Sequence, residues 1–279
     1  MTPRPPDFPI HSSLFSLLMV SYCTSACLSA ADGRTKIVLI GKDRDHPPAT
    51  HEYMAECRLL ATCLRQTPGV EAVVSKGWPT APAVLKGVDA IAFYTKQAGN
   101  VLFDGARRKQ VQALLERGVG LTAIHWSTGA EGQEVGELWR AASGAWFNSK
   151  FSKLKTTTLK VCQPNKDHPI CRGWRAYDLH DEYYLKLRFA PGVQPVMTVT
   201  VDGQEYVVGW AYERPDAGGG RSFGCVLGHF HKQFGMEPFR RSLVNGILWT
   251  AHRDVPQAGA PCKITKKDMV LPPDPRKKR

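Results

Sequence analysis

Apolar residues fall along this chain in short runs that end in glycine, separated by stretches of helical period. Residues 36–41, Lys-Ile-Val-Leu-Ile-Gly, form the first, the pattern of a strand buried on both faces of a parallel sheet. A loop over 42–50 containing Pro47 and Pro48 leads into an amphipathic helix from about 52 to 66. Strands are expected over 70–75 and 90–94, then a helix from 104 to about 117 stopped by Gly118. A fourth strand over 119–124 terminates at His125. Strands alternating with helices specify a doubly wound, mostly parallel α/β sheet. After residue 145 the pattern changes. Residues 155–161, 183–189, 196–201 and 206–212 read as strands with few helices between them, followed by a strand over 223–227 and a closing helix over 237–251. The expectation is an α/β fold with a strand-rich insertion, in one compact unit over 32–256 with no internal repeat.

Both ends of the chain differ from this unit. An apolar stretch from Leu14 to Leu28 gives way to Ser29-Ala-Ala31 and then to polar sequence at Asp32, which reads as a signal peptide over 1–31 cut after Ala31. The protein is therefore expected to be periplasmic or secreted. No later stretch approaches the roughly 18 apolar residues of a membrane span. Residues 257–279 are basic and proline-rich, and read as a solvated, flexible tail. With 279 residues, 43% of them hydrophobic, the chain has ample material for a core. Its net charge of +12 is scattered outside the tail without interleaved aromatics, which argues against nucleic acid as a partner. Of the eight cysteines, Cys23 and Cys27 lie in the leader. Cys162 and Cys171 flank a Pro-Asn turn, a spacing that permits a bridge, and no CxxC or zinc-ribbon spacing occurs.

Candidate chemistry gathers at strand ends. The segment from Arg221 to His231 is an apolar run followed by Gly228 and two histidines, His229 and His231. On an extended strand these would share a face at the edge where α/β sheets bind ligands. Two such imidazoles can share a metal, polarise a carbonyl or pass a proton. His125 follows a second such strand and precedes Trp126-Ser-Thr-Gly129; Ser127 is the one hydroxyl there with nucleophilic potential, and no GxSxG is present. The loop after the first strand supplies His46, His51 and Glu52, with Glu52 also suited to a helix N-terminus. Residues 180–189 split by period two: Asp181, Tyr183, Leu185, Leu187 and Phe189 on a core face, His180, Glu182, Tyr184, Lys186 and Arg188 on a polar one. If that polar face lines a pocket, Glu182 is a general base and Tyr184 a stacking surface for a sugar.

Taken in order, residues 36–41, His51-Glu-Tyr53, Gly77-Trp-Pro79, residues 118–125, His168-Pro169, Asp181-Glu-Tyr-Tyr184, residues 210–215, 221–231 and 240–251 resemble the ThuA-like (trehalose utilisation) family. The resemblance implies a flavodoxin-like architecture related to the class I glutamine amidotransferases, with His125 near the position of their absent nucleophilic cysteine. Glutamine hydrolysis is therefore not expected. It further implies catabolism of trehalose-type disaccharides or glycosides as 3-keto derivatives, by acid–base or metal-assisted chemistry. The catalytic candidates are His125, Glu182, His229 and His231; the substrate-binding candidates are His51, Glu52, Trp126, Tyr184, Arg188 and Trp210. His51, His125, His229 and His231 are the candidate ligands for a divalent metal such as zinc. A sugar oxidoreductase acting upstream and a homo-oligomer are the partners this reading allows. The alternative is a carbohydrate-binding or scaffold protein without catalysis, in which the aromatics dominate. A metal-dependent amide or ester hydrolase has no HExxH-like spacing behind it.

Overall fold

A computed structural model describes residues 33–103, 105–215 and 218–273, so the leader and the last six residues lie outside the described chain. Its elements in chain order are β1 (Thr35–Gly41), α1 (Tyr53–Leu64), β2 (Val70–Lys76), α2 (Pro82–Leu85), β3 (Ala90–Phe93), α3 (Ala98–Phe103), α4 (Arg108–Glu116), β4 (Gly120–Ile124), α5 (Gln133–Ser143), β5 (Ala145–Trp146), β6 (Lys153–Val161), β7 (Tyr177–Leu185), β8 (Arg188–Phe189), β9 (Gln194–Val201), β10 (Gln204–Glu213), β11 (Arg221–Cys225) and α6 (Glu237–Thr250).

The main sheet runs β2-β1-β3-β4-β11-β10-β9. Its first five strands are parallel, and β10 and β9 continue it antiparallel. Counting parallel strands in chain order, the arrangement is 2-1-3-4-5, the flavodoxin-like order. The near-continuous apolar runs have a direct cause. On β1, Ile37 and Leu39 enter one core while Val38 and Ile40 enter the other, and β3 divides Ala90 and Ala92 from Ile91 and Phe93 in the same way. Helices α1 and α6 cover the first face with Leu60, Leu64, Leu243 and Ile247; α3, α4 and α5 cover the second with Leu102, Val111 and Trp139. Gly120 permits the close approach of α6, since a Cβ there would meet the Thr250 carbonyl oxygen at 2.0 Å.

The strand-rich insertion consists of β6 and β7, an antiparallel ladder from Lys153↔Leu185 to Val161↔Tyr177, and the small β5–β8 pair. Three expectations shift. The helix expected over 104–117 opens as a 3-10 turn over Gly105–Arg107 and continues as α4, and a further short helix, α3, precedes it. The strand expected over 223–227 ends at Cys225, before its histidines. The segment expected to begin a flexible tail at 257 instead packs on the domain as far as Met269. Ala260 and Cys262 are buried, Arg240 donates to the Cys262 carbonyl at 2.8 Å, and Gln66 exchanges two hydrogen bonds with Lys263. Composition concealed this, because its anchors are backbone carbonyls. All six cysteines of the described residues are free thiols, Cys162 and Cys171 included. Among the described residues no helix is long and apolar enough to cross a membrane.

Candidate functional site

The carboxyl ends of the parallel strands open onto loops that carry most of the chemistry-bearing residues. His51 comes from the β1–α1 loop, His125 from the end of β4, His229 from the loop after β11, and Glu182 and Tyr184 from β7. Four of these converge. His51 Nε2 lies 2.9 Å from His229 Nδ1 and 3.0 Å from His125 Nε2; His125 Nε2 and His229 Nδ1 are 3.2 Å apart. Glu182 Oε2 stands 3.6 Å from His125 Nε2 and 3.5 Å from His229 Nδ1. The Tyr184 hydroxyl is 3.0 Å from His125 Nε2, and its ring stacks on both His125 and Phe147.

The backbone is bent to bring these rings together. His51 and His125 are left-handed, with φ of 48° and 55°, as is Gln97 beside them at 46°. Non-glycine residues seldom adopt this region, and such strain persists where surrounding contacts enforce it. Residues 49–51 pair with 229–231 through His51 N–H to the His229 carbonyl (3.0 Å) and His231 N–H to the Ala49 carbonyl (2.9 Å). Asp181, fully buried, accepts from Gly228 N–H (2.7 Å), His229 N–H (3.0 Å) and Glu182 N–H (2.8 Å), and Tyr94 donates to the Gly228 carbonyl. One carboxylate thus fixes the backbone of both His229 and Glu182. Burial pushes Asp181 up to about 7, against the pull of those three amides.

The outer nitrogens determine where the protons sit. His125 Nδ1 faces the Val226 carbonyl at 2.7 Å and must donate to it, leaving Nε2 as a lone pair. The Tyr53 hydroxyl donates to Asp45 (3.1 Å) and so accepts from His51 Nδ1 (2.8 Å), leaving His51 Nε2 as another lone pair. Burial, and then the neighbouring imidazoles, keep His51 at about 3 and His125 well below the usual imidazole range. Partial burial opposes the ionisation of Asp45, but hydrogen bonds from Lys42 and His46 outweigh it and hold the carboxyl at about 2. Two imidazole lone pairs therefore face each other at 3.0 Å. A proton on His229 Nδ1 can serve the first and the Tyr184 hydroxyl, 3.0 Å from His125 Nε2, the second, so the cluster holds its lone pairs inward for a shared partner.

This donor set fits a divalent cation. Zinc–imidazole bonds of about 2.0–2.1 Å imply tetrahedron edges of roughly 3.3 Å; the imidazole separations here run from 2.9 to 3.2 Å. Glu182 stands 3.5 Å from His229 and 3.6 Å from His125, and all the donor atoms lie within 4.8 Å of one another. The orienting contacts to Val226, Tyr53 and Asp45 match those that fix metal-bound histidines. A cleft of about 200 Å³ opens on the site, bordered by His51 and Glu182 at one side and by Trp126 and Tyr184 along its walls. A larger one, about 400 Å³, lies between α1 and the C-terminal segment, and none of the four convergent residues lines it.

Other expected site residues lie elsewhere. His231 opens a 3-10 turn and swings away from His229; it bonds buried Glu56 and donates to the Met269 carbonyl. The shared face expected of His229 and His231 fails because the strand ends before them. Trp210 is fully buried, its indole donating to the Ser143 carbonyl and filling the space left by Gly224, so it offers no surface to a ligand. The Arg188 guanidinium lies 4.1 Å from the Phe151 ring centroid and does not border the cleft. Glu52 accepts from Arg44 and from Ala49 N–H, shaping the loop that delivers His51. Ser127 is buried and bonded both ways to the Thr95 backbone, which leaves no nucleophile at the turn. Conversely, Asp181, Tyr53 and Asp45 were not singled out by sequence. A charged residue on the apolar face of β7 was the signal for Asp181.

Among proteins of curated function, none is significantly similar in sequence. Solved structures that share the fold include two ThuA-like proteins. A ThuA-like protein from Bacteroides uniformis ATCC 8492 is 15% identical, covering 82% of this chain and 95% of its own with a TM-score of 0.60. One from Parabacteroides merdae ATCC 43184 is 14% identical, covering 86% and 100% with a TM-score of 0.58. The sequence model of the ThuA family, described as trehalose utilisation, matches residues 38–250, most of the chain. This protein therefore belongs to the ThuA, or trehalose utilisation, family.

Proposed function

We propose that this protein is an exported, metal-dependent enzyme of carbohydrate catabolism that cleaves 3-keto-glycosides. The observation that carries the reading is the convergence of three imidazole nitrogens and a carboxylate oxygen, all within 4.8 Å of one another. His51, His125 and His229 would hold the ion, leaving a coordination position open beside Glu182. When bound, a divalent ion such as zinc would supply Lewis-acid stabilisation of negative charge on a sugar oxygen.

The chain's own residues account for the rest. A ketone at C3 of a pyranose acidifies the C2 proton. Glu182, which borders both the imidazole cluster and the cleft, accepts that proton. The C1–O bond breaks as the C1–C2 double bond forms, and solvent protonates the departing oxygen. Water then adds across the double bond to give the free keto sugar. Tyr184 and Trp126 wall the cleft and orient the ring. A sugar oxidoreductase is needed upstream to make the ketone. Export rests on the apolar leader before Asp32.

Elemental analysis of protein purified without chelator tests the metal directly. We expect about one equivalent of a divalent transition metal, as a multi-imidazole site implies. His125→Ala and His229→Ala should lose it and should cleave 3-keto-trehalose at least 100-fold more slowly. Equal turnover by wild type and both variants would remove the assignment. The aromatic walls support a second reading, a carbohydrate binder without catalysis; tight sugar binding that survives loss of the histidines, with no product formed, would establish it.

A further inference from the structure

Resting on the reading of this site as a carbohydrate centre, we infer that the cleft recognises one neutral pyranose ring and leaves the remainder of the substrate outside. Size is the first argument. A cleft of about 200 Å³ lies below the roughly 300 Å³ at which pockets for drug-sized ligands begin. That is the scale of one hexose ring, with the rest of a glycoside extending through the open mouth.

The lining is the second argument. The lining also includes Gln97 and Glu131, joined by a 2.6 Å hydrogen bond. Both are tied to the scaffold: Gln97 N–H donates to the Trp126 carbonyl at 3.1 Å, and Glu131 N–H to Asn100 Oδ1 at 2.7 Å. They form a prearranged donor–acceptor pair for ring hydroxyls, separate from the candidate metal ligands. Trp126 and Phe147 supply apolar walls for the C–H faces of the ring. Two carboxylates and no lysine or arginine line the cleft, which disfavours phosphorylated or acidic sugars.

The third argument is at the rim. Leu154, on β6 opposite Tyr184, also lines the cleft, yet its side chain is 51% exposed. It is one of two exposed large hydrophobics among the described residues. An apolar residue at the mouth offers a surface for whatever aglycone or second sugar projects outward, without shape or polar groups to select it. The protein is accordingly selective for the ring and permissive for its substituent.

Calorimetric titration of the full-length protein with methyl glucoside, trehalose and maltotriose, each also as its 3-keto form, tests this. Affinities within about threefold across each series are expected, with glucose 6-phosphate at least tenfold weaker. Glu131→Ala should weaken the neutral ligands by about tenfold and equally, while metal content stays at the wild-type value. A tenfold gain for each added ring, tight binding of the phosphorylated sugar, or absence of sugar binding by the metal-loaded protein would overturn the inference. The metal reading fails separately, if the wild type carries no metal.

Discussion

Asp181 touches no part of the cleft, yet two of the four convergent residues take their positions from it through three amide hydrogen bonds. Asp181→Asn replaces one of its acceptor oxygens with a donor and so orphans a buried N–H. We expect a loss of about 1–3 kcal/mol in stability and a roughly 10–100-fold loss of metal affinity, read by chemical denaturation and competitive chelation. Unchanged metal affinity would show that the His229 loop holds its shape without the carboxylate. At this scale the sequence was informative where a glycine-bounded apolar run stops at a histidine, as at His125. It was uninformative where direction depends on a local turn. His229 and His231 are two residues apart, and only coordinates show that the second enters a helical turn and joins α1.

Among elements, the C-terminal segment behaves as an unrecognised structural member. It supplies carbonyls to Arg240 on α6 and to His231, and both donors lie in the interior. Removing residues 257–279 should leave these groups unsatisfied and cost about 3 kcal/mol, with a lower melting temperature as the measurement. A truncation that melts like the full chain would contradict this. The parallel strands were legible because burial on two faces writes a continuous apolar run, whereas this segment is held by main-chain atoms that composition cannot register. Period two placed Tyr184 on a wet face, but the ring is buried because Phe147 and His125 stack on it from the core.

The whole molecule has an acid sensitivity to which buried histidines contribute, His168 among them at a distance from the site. His168 caps the turn before Arg172 by accepting from Ile170 N–H, packs on Trp249, and burial lowers it to about 4. Its folded-state value lies below the unfolded value of about 6.5, so the unfolded chain takes up the proton first and stability falls as pH drops from about 6.5 toward 4. His168→Gln should flatten that part of the stability profile relative to wild type. Parallel profiles for the two proteins would show that His168 is not responsible. The strand order itself was within reach of sequence, since strand–helix alternation and short connections leave few doubly wound topologies.

The imidazoles belong to loops of the parallel sheet, whereas Glu182, Tyr184 and Leu154 belong to the β6–β7 ladder inserted into it. The three nitrogens and the carboxylate beside them are therefore written on separate lengths of polypeptide, joined by Asp181 on β7, which holds the loop of His229. Hairpin and sheet must accordingly change in step, since a graft of residues 153–185 that lost this aspartate would release one of the imidazoles.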